Sequence, residues 1–363
     1  MRVVTFGEVM LRMCPPEYLR LRQVLPGTLE VTFGGGEVNV AVSVAFQGGQ
    51  SAFVSALPDN PLTDGFEQEL RKLNVGCDLV QRCQEGRFGV YFVETGANQR
   101  GGTVTYDRDH SCISLTPASS YPWDKIFQDA SWFHITGITP ALSAISAGAA
   151  LASVQEAKKR GIPVSCDLNF RKKLWKWQPG KSATVLARET MRGMMPYIDL
   201  VIANEEDADL ALGIQAAGSD VEQGDLNLSA YEEVARRIVA DFPNVSQVAI
   251  TLRESISASH NNWGALLYDA KSKKFHSAPT DEAGHYEPYQ IHNIIDRVGG
   301  GDSFSGGLIF ALTTKELSDP AVALRYAVAA SCLKHSIKGD FNYASREEIT
   351  ALMNGSGSGR VQR

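Results

Sequence analysis

Short apolar runs alternate with longer amphipathic ones along most of the chain. Val3–Phe6 predicts a first strand, ending at Gly7-Glu8. Phe33-Gly-Gly-Gly then opens an amphipathic helix that runs to Phe46, and Ala52–Ala56 predicts a strand. Leu62, Phe66, Leu70 and Leu73 share one helical face, which predicts a helix over 62–73. From Trp132 onward the rhythm is regular. Strands are predicted at Trp132–Thr136, Pro163–Asp167, Ile198–Ile202 and Val245–Thr251, and helices at Ala144–Arg160, 182–195 and Tyr231–Phe242. Ala265–Asp269 and Lys274–Ser277 read as a hairpin, followed by helices at Ser303–Thr314, Pro320–Ser336 and Arg346–Met353. Repeated strand–helix alternation predicts an α/β fold with a mostly parallel sheet covered on both faces.

Two stretches break the rhythm. Residues 10–32 mix apolar and polar positions around Pro15, Pro16 and Pro26, and residues 88–107 read as a hairpin with a polar loop. Neither fits the parallel sheet. A small separate β-sheet packed as a lid accommodates both. The expected organisation is one α/β domain over 1–353, with lid excursions at about 10–32 and 88–108. A surface insertion is expected at 216–227, and the Gly/Ser-rich tail 354–363 is expected to be flexible.

Composition narrows the functional classes. With 35 Lys plus Arg and 41 Asp plus Glu, the net charge is −6, which argues against a nucleic-acid-coating surface. No apolar run reaches the roughly 18 residues of a spanning helix, so no membrane role is expected. The N-terminus lacks a secretory apolar core, and the six cysteines show no C-x-x-C pair or zinc spacing. The expectation is a cytoplasmic protein with reduced thiols.

The strongest local motif is Asp296-Arg-Val-Gly-Gly-Gly-Asp-Ser-Phe, three glycines leading into an apolar helix. Glycine lets the backbone approach a ligand closely, and amides at a helix start favour an anion. Gly299, Gly300 and Gly301 can therefore form an anion hole, with Asp302 placed to deprotonate a hydroxyl that attacks phosphorus. The same pattern also suits a glycine-rich turn with an Asp cap. Gly180-Lys181-Ser182 ends like a phosphate loop, but Trp175 stands where the first glycine is required.

Gly34-Gly35-Gly36 leads into Asn39, whose donor and acceptor suit vicinal hydroxyls or, alternatively, an exposed turn. Arg171 follows the predicted strand end at Asp167, where doubly wound sheets bind ligands, and its fork suits a carboxylate or phosphate. Tyr91, Tyr106 and Arg108 lie on the expected lid. Acidic groups in Asn204-Glu-Glu-Asp follow another strand and suit either hydrated Mg²⁺ or helix capping.

Taken together these motifs resemble the ribokinase-like (PfkB) carbohydrate kinases over nearly the whole chain, and among them the 2-keto-3-deoxygluconate kinases. The marks are Gly34-Gly-Gly-Glu-Val-Asn-Val-Ala, Asp296-Arg-Val-Gly-Gly-Gly-Asp-Ser-Phe, Gly7-Glu-Val-Met-Leu-Arg, Thr136-Gly-Ile-Thr-Pro-Ala-Leu-Ser, Asp167-Leu-Asn-Phe-Arg-Lys-Lys-Leu-Trp and Leu333-Lys-His-Ser-Ile-Lys-Gly-Asp-Phe-Asn. The resemblance implies a three-layer α/β/α fold with a β-lid and transfer of the ATP γ-phosphoryl to the 6-hydroxyl of 2-dehydro-3-deoxy-D-gluconate. By the same resemblance Gly35, Asn39, Tyr91, Tyr106, Arg108 and Arg171 line the sugar-acid site, and Asp302 is the base.

ATP and Mg²⁺ are the implied cofactors, with a monovalent cation as a further candidate. The nucleotide is expected near Asn204, Thr251, Arg253 and Ser331. Residues 204–207 are similar to the family's metal-associated N-x-x-E, but Asp207 replaces Glu and shortens the reach. Thr251–Gly264 is longer than the usual nucleotide loop, and Arg253 stands where a glycine is usual. Rival readings are a fructokinase, a 5-dehydro-2-deoxygluconokinase, a nucleoside kinase and a non-catalytic sensor. An exposed lid edge further predicts a homo-oligomer.

Overall fold

A computed structural model describes residues 1–204, 206–215 and 228–355. The expected insertion at 216–227 and residues 356–363 of the expected tail lie outside the described residues. In chain order the strands are β1 Arg2–Phe6, β2 Met10–Cys14, β3 Glu30–Gly34, β4 Gln50–Pro58, β5 Val75–Gly76, β6 Val80–Cys83, β7 Gly89–Glu94 and β8 Thr103–Asp107. They continue as β9 Ala130–Thr136, β10 Val164–Asp167, β11 Leu200–Ala203, β12 Gln247–Ser257, β13 His260–Asp269, β14 Lys274–Ala278 and β15 Tyr289–Ile291.

The large sheet has the order β14-β13-β12-β11-β10-β9-β1-β4-β5, with β15 paired to β13 and β6 to β4. Pairing from β12 through β4 is parallel, as the alternation requires. Its two faces are filled by opposite residues of each strand. Val4, Val201, Val248 and Ile250 join a core with Ala149, Val154, Leu186 and Ile238, from helices Ala144–Lys159, Ala183–Met194 and Leu228–Asp241. Val3, Leu200, Ile202 and Ala249 join another with Val40, Phe304, Leu308 and Tyr326, from helices Gly36–Phe46, Gly300–Thr313 and Pro320–Lys334. A period of two, buried on both sides, is why these strands read as continuous apolar runs.

The two excursions form a separate sheet of order β3-β2-β7-β8. β7 pairs antiparallel with β8, and β2 pairs parallel with β7, so one sheet joins stretches distant in sequence. β7 alternates buried and half-buried positions, whereas every residue of β8 is exposed. Met10, Cys14, Tyr91 and Val93 pack together with Val298, which sets the small sheet against the loop that precedes helix Gly300–Thr313.

One segment differs from expectation. The strand expected to end at Thr251 continues to Ser257 and pairs antiparallel with β13, turning back at His260. The Thr251–Gly264 segment is therefore a hairpin, not a loop. Polar residues at 253–262 hid it, because these outer turns lie beyond the apolar layers that give strands their periodicity.

Candidate active site

The carboxyl ends of β10 and β11, the starts of two helices and the small sheet surround a cavity of about 520 Å³. Two glycines allow its backbone to close up. A Cβ on Gly35, the residue before helix Gly36–Phe46, would lie 2.1 Å from the Glu8 carbonyl oxygen. Gly299 precedes helix Gly300–Thr313 with φ +82°, and its Cβ would lie 2.2 Å from the Asp340 carbonyl oxygen. Both contacts exclude any side chain, and the left-handed φ at Gly299 favours glycine on its own account.

These helix starts bring Asn39 and Asp302 together from positions far apart in sequence. Asn39 Nδ2 donates to Asp302 Oδ2 at 2.6 Å and lies 3.4 Å from Asp340 Oδ2, while Asn39 Oδ1 accepts from the Gly35 amide at 3.2 Å. Asn39 is 3% exposed, so its amide is fixed by these partners. Burial pushes the Asp302 carboxyl up to about 6. The Asn39 bond and the more distant Arg171 and Lys334 lower it, and Asp340 raises it. The amides of Gly301 and Asp302 meet no acceptor among the described residues, whereas Gly300 N–H donates to the Arg297 carbonyl at 3.3 Å. Of the expected anion-hole amides, that of Gly300 is thus turned into the preceding loop.

A buried ion network lies behind this pair. Arg12, on β2, donates through Nη1 to Asp340 Oδ1 at 2.7 Å and through Nη2 to Asp296 Oδ2. Burial alone would depress the guanidinium, but Asp340 and Asp296 more than offset it and hold its pKa above the ordinary value. Asp296 also accepts from the amides of Val298 and Gly339, both at 3.1 Å. Arg12, Asp296 and Asp340 belong to three separate motifs of the sequence, and none of them was singled out as a site residue there. The available signal was Met-Leu-Arg-Met-Cys, a charge inside an apolar strand, which must find a buried partner.

On the small sheet, Tyr91 and Tyr106 stack with centroids 6.1 Å apart. Burial and Asp340 hold the Tyr91 phenol well above its usual range, whereas Tyr106 is 40% exposed. Arg108 is 7% exposed and forms a buried ion pair with Glu8. Its Nε–H has no partner among the described residues. Arg171, expected as the second cation, is exposed on the cavity wall and has no ion pair among the described residues. Its charge acts on Asp167, Asp207 and Asp302. Asp167 lies well above its usual range through burial and the neighbouring charges of Asp207 and Asp302, with Arg171 acting against them.

Asp207 is raised by burial. Its oxygens accept the amides of Phe170 at 2.9 Å and Asn204 at 3.2 Å, while Asn204 Oδ1 accepts the amides of Glu206 and Asp207. Asn204 and Asp207 thus cap each other reciprocally, the alternative that the sequence left open. Among the described residues no group of three acidic, His or Cys side chains is arranged to hold a metal alone.

Thr251 and Arg253 lie on the same cavity wall, and the Thr251 hydroxyl donates to the Ala203 carbonyl at 3.4 Å. Ser331 departs from expectation. It is fully buried behind the cavity and donates to the Gly300 carbonyl at 2.6 Å, so it supports the glycine loop and does not face the space where a nucleotide would lie. Glu37 also escaped the sequence reading. Its Oε1 accepts the Thr136 amide at 3.0 Å and the hydroxyls of Thr136 and Thr139 at 2.8 and 2.7 Å. Burial pushes Glu37 up to about 7, and it ties the start of helix Gly36–Phe46 to the end of β9.

Known proteins place this arrangement. A solved 2-dehydro-3-deoxygluconokinase from Thermotoga maritima is 41% identical, with a TM-score of 0.86 over 98% of this chain and 100% of that one. A 2-dehydro-3-deoxygalactonokinase from Haloferax volcanii is 29% identical over 98% of both chains. A 2-dehydro-3-deoxygluconokinase from Bacillus subtilis is 26% identical over 96% of this chain and 94% of its own. The family model for pfkB family carbohydrate kinases matches residues 1–342. The chain belongs to that family and is an ATP-dependent carbohydrate kinase.

Proposed function

We propose that the protein transfers the γ-phosphoryl group of ATP to the 6-hydroxyl of 2-dehydro-3-deoxy-D-gluconate. The observation that carries this reading is the shared cavity. It sets Asp302, held by Asn39, beside the amides of Gly301 and Asp302, which meet no acceptor among the described residues, with the Arg171 guanidinium, without an ion pair among them, on the same wall. Asp302 takes the proton of the attacking hydroxyl. The amides of Gly301 and Asp302 stabilise charge on the phosphoryl oxygens, which is the main catalytic requirement of a loose transition state. Asn39 positions Asp302, and with Gly35 it lines the cavity where the sugar hydroxyls would lie. The small sheet, acting as a lid through Tyr91, Tyr106 and Arg108, excludes water and limits ATP hydrolysis.

A magnesium ion, when bound, would supply charge neutralisation to the phosphoryl groups. The acidic wall of Asp167 and Asp207 fits a hydrated ion that arrives with the nucleotide, since Asp207 spends its oxygens on backbone amides. Thr251, Arg253 and Asn204 border the nucleotide side.

Glu8 already matches the charge of Arg108. Carboxylate recognition therefore falls on Arg171. Arg171→Ala is expected to raise KM for the sugar acid about 10–100-fold, the range of a hydrogen bond to a charged group. KM for a neutral ketose should change little. Equal losses on both substrates would remove Arg171 from carboxylate recognition. Arg108→Ala strands Glu8 without its partner and should lower activity on acid and neutral sugars alike.

Because Asp302 must be ionised to accept a proton, activity should fall as pH drops through about 6. A pH profile of kcat/KM with no acid limb between about pH 5 and 7 would contradict Asp302 as the base. The substrate itself is tested by a coupled ADP-release assay over 2-keto-3-deoxygluconate, its galactonate epimer, fructose and 5-dehydro-2-deoxygluconate. Activity on fructose with none on either 2-keto-3-deoxy acid would overturn the proposal. The 2-dehydro-3-deoxygalactonokinase relative makes the epimer the second reading, and the same panel decides between them.

A further inference from the structure

The hairpin of β12 and β13, where the sequence departs from the family pattern, bears on its tip two contacts with distant parts of the chain. From one side comes the turn between β7 and β8. Ala258 N–H donates to the Asn98 carbonyl at 2.7 Å, and Asn98 N–H donates to Ser259 Oγ at 2.9 Å. From the other side comes Arg297, two residues before Gly299. Its Nη2 donates to the carbonyls of Ser257 at 2.9 Å and Ala258 at 2.7 Å, with Asn261 Oδ1 at 3.4 Å.

Those acceptors are neutral. They fix the guanidinium in place without cancelling its charge, and Arg297 has no ion pair among the described residues. Arg297 lines the same cavity as Gly301 and Asp302, on the side where Thr251 and Arg253 lie. Burial lowers its pKa, and the like charge of Arg253 lowers it further. The Arg297 guanidinium, next to two helix-start amides that meet no acceptor among the described residues, gives a positive surface that an anion of several charges would relieve.

We infer that Arg297 binds the phosphates of the nucleotide, aimed by the tip of the β12–β13 hairpin, on which the turn of the small sheet also docks. The inference rests on ATP as the phosphoryl donor. A guanidinium held from behind by two carbonyls presents its remaining N–H groups as a pre-set fork, so little order is lost when phosphate arrives.

Calorimetric titration of the full chain with ATP, ADP and adenosine tests this without any sugar. Arg297→Ala should weaken ATP and ADP at least tenfold and leave adenosine within twofold. Arg297→Lys should recover part of the loss, since it keeps the charge and loses the fork. Replacing residues 257–259 by an Asn-Gly turn shortens the tip and withdraws its backbone carbonyls from Arg297 while keeping Arg297 itself, and should reproduce most of the loss for ATP. Unchanged ATP affinity in Arg297→Ala, or an equal loss for adenosine, would overturn the assignment, and wild-type affinity in the shortened hairpin would overturn the aiming role. Failure of the wild type to phosphorylate any sugar acid would overturn the substrate proposal alone, because these titrations would still decide the role of Arg297.

Discussion

Asp302→Asn is expected to lower kcat by about 10²–10⁴-fold, the usual weight of a positioned general base, while sugar and nucleotide still bind. Asn has nearly the same shape, and its oxygen can still accept from Asn39 Nδ2, which now stands 2.6 Å from Asp302 Oδ2. What is lost is the ability to take a proton. The variant should also be more heat-stable than the wild type, by an amount that depends on pH. The folded-state pKa of Asp302 is raised from 3.8 to about 6 by burial. A carboxyl raised in this way favours the fold while protonated and costs stability as pH rises between the two values. The Tm advantage of Asp302→Asn should therefore grow as pH rises from about 4 to 6.5, then level off. Near-normal kcat would remove Asp302 as the base. A Tm advantage that shrank with rising pH would show that its carboxyl is not desolvated as the geometry requires.

The sequence made the scaffold legible for a physical reason. A parallel sheet covered on both faces forces apolar strands between amphipathic helices, and both signals are local. Gly299–Asp302 stood out locally as a glycine run before an apolar helix, but the pattern suited an anion hole and a glycine-rich turn equally, and the left-handed φ of Gly299 appears only in the structure. Residues were harder to read when their meaning depends on a partner far along the chain. Arg108 reads as a free cation until β7 and β8 bring it to Glu8, a hundred positions earlier. Ser331 reads as a helix-face contact for a nucleotide until its hydroxyl is seen to hold the Gly300 carbonyl. The β12–β13 tip carries no apolar alternation, because it projects past the core, so its ladder was invisible. Arg171 needed no distant partner to be noticed, because it follows a strand end, where ligands bind in doubly wound sheets, and the structure places it on the cavity wall.

Arg12→Met is expected to cost about 3–5 kcal/mol, as when a buried ion network loses one member. Arg12 is 2% exposed and is the cation shared by Asp296 and Asp340, both nearly as deeply buried. Without it, Asp296 retains two backbone amides and Asp340 retains the long contact from Asn39. With buried Lys334 still acting on both, these donors leave two carboxylates incompletely balanced in one low-dielectric site. Urea denaturation should report the loss. A cost below about 1 kcal/mol, the weight of an exposed pair, would show that water reaches the network. The compensated variant Arg12→Met, Asp296→Asn, Asp340→Asn should recover part of the stability, since it removes the Arg12 charge and both carboxylates together but leaves buried Lys334 without those carboxylates. It should not recover activity. Asn39 divides its amide between Asp340 and Asp302, and the small sheet meets the glycine loop through Arg12 and Asp296. The compensated protein would fold with Asn39 and the loop no longer fixed from behind, so kcat should stay depressed after part of the stability returns. Recovery of both together would mean that Arg12 serves the fold alone.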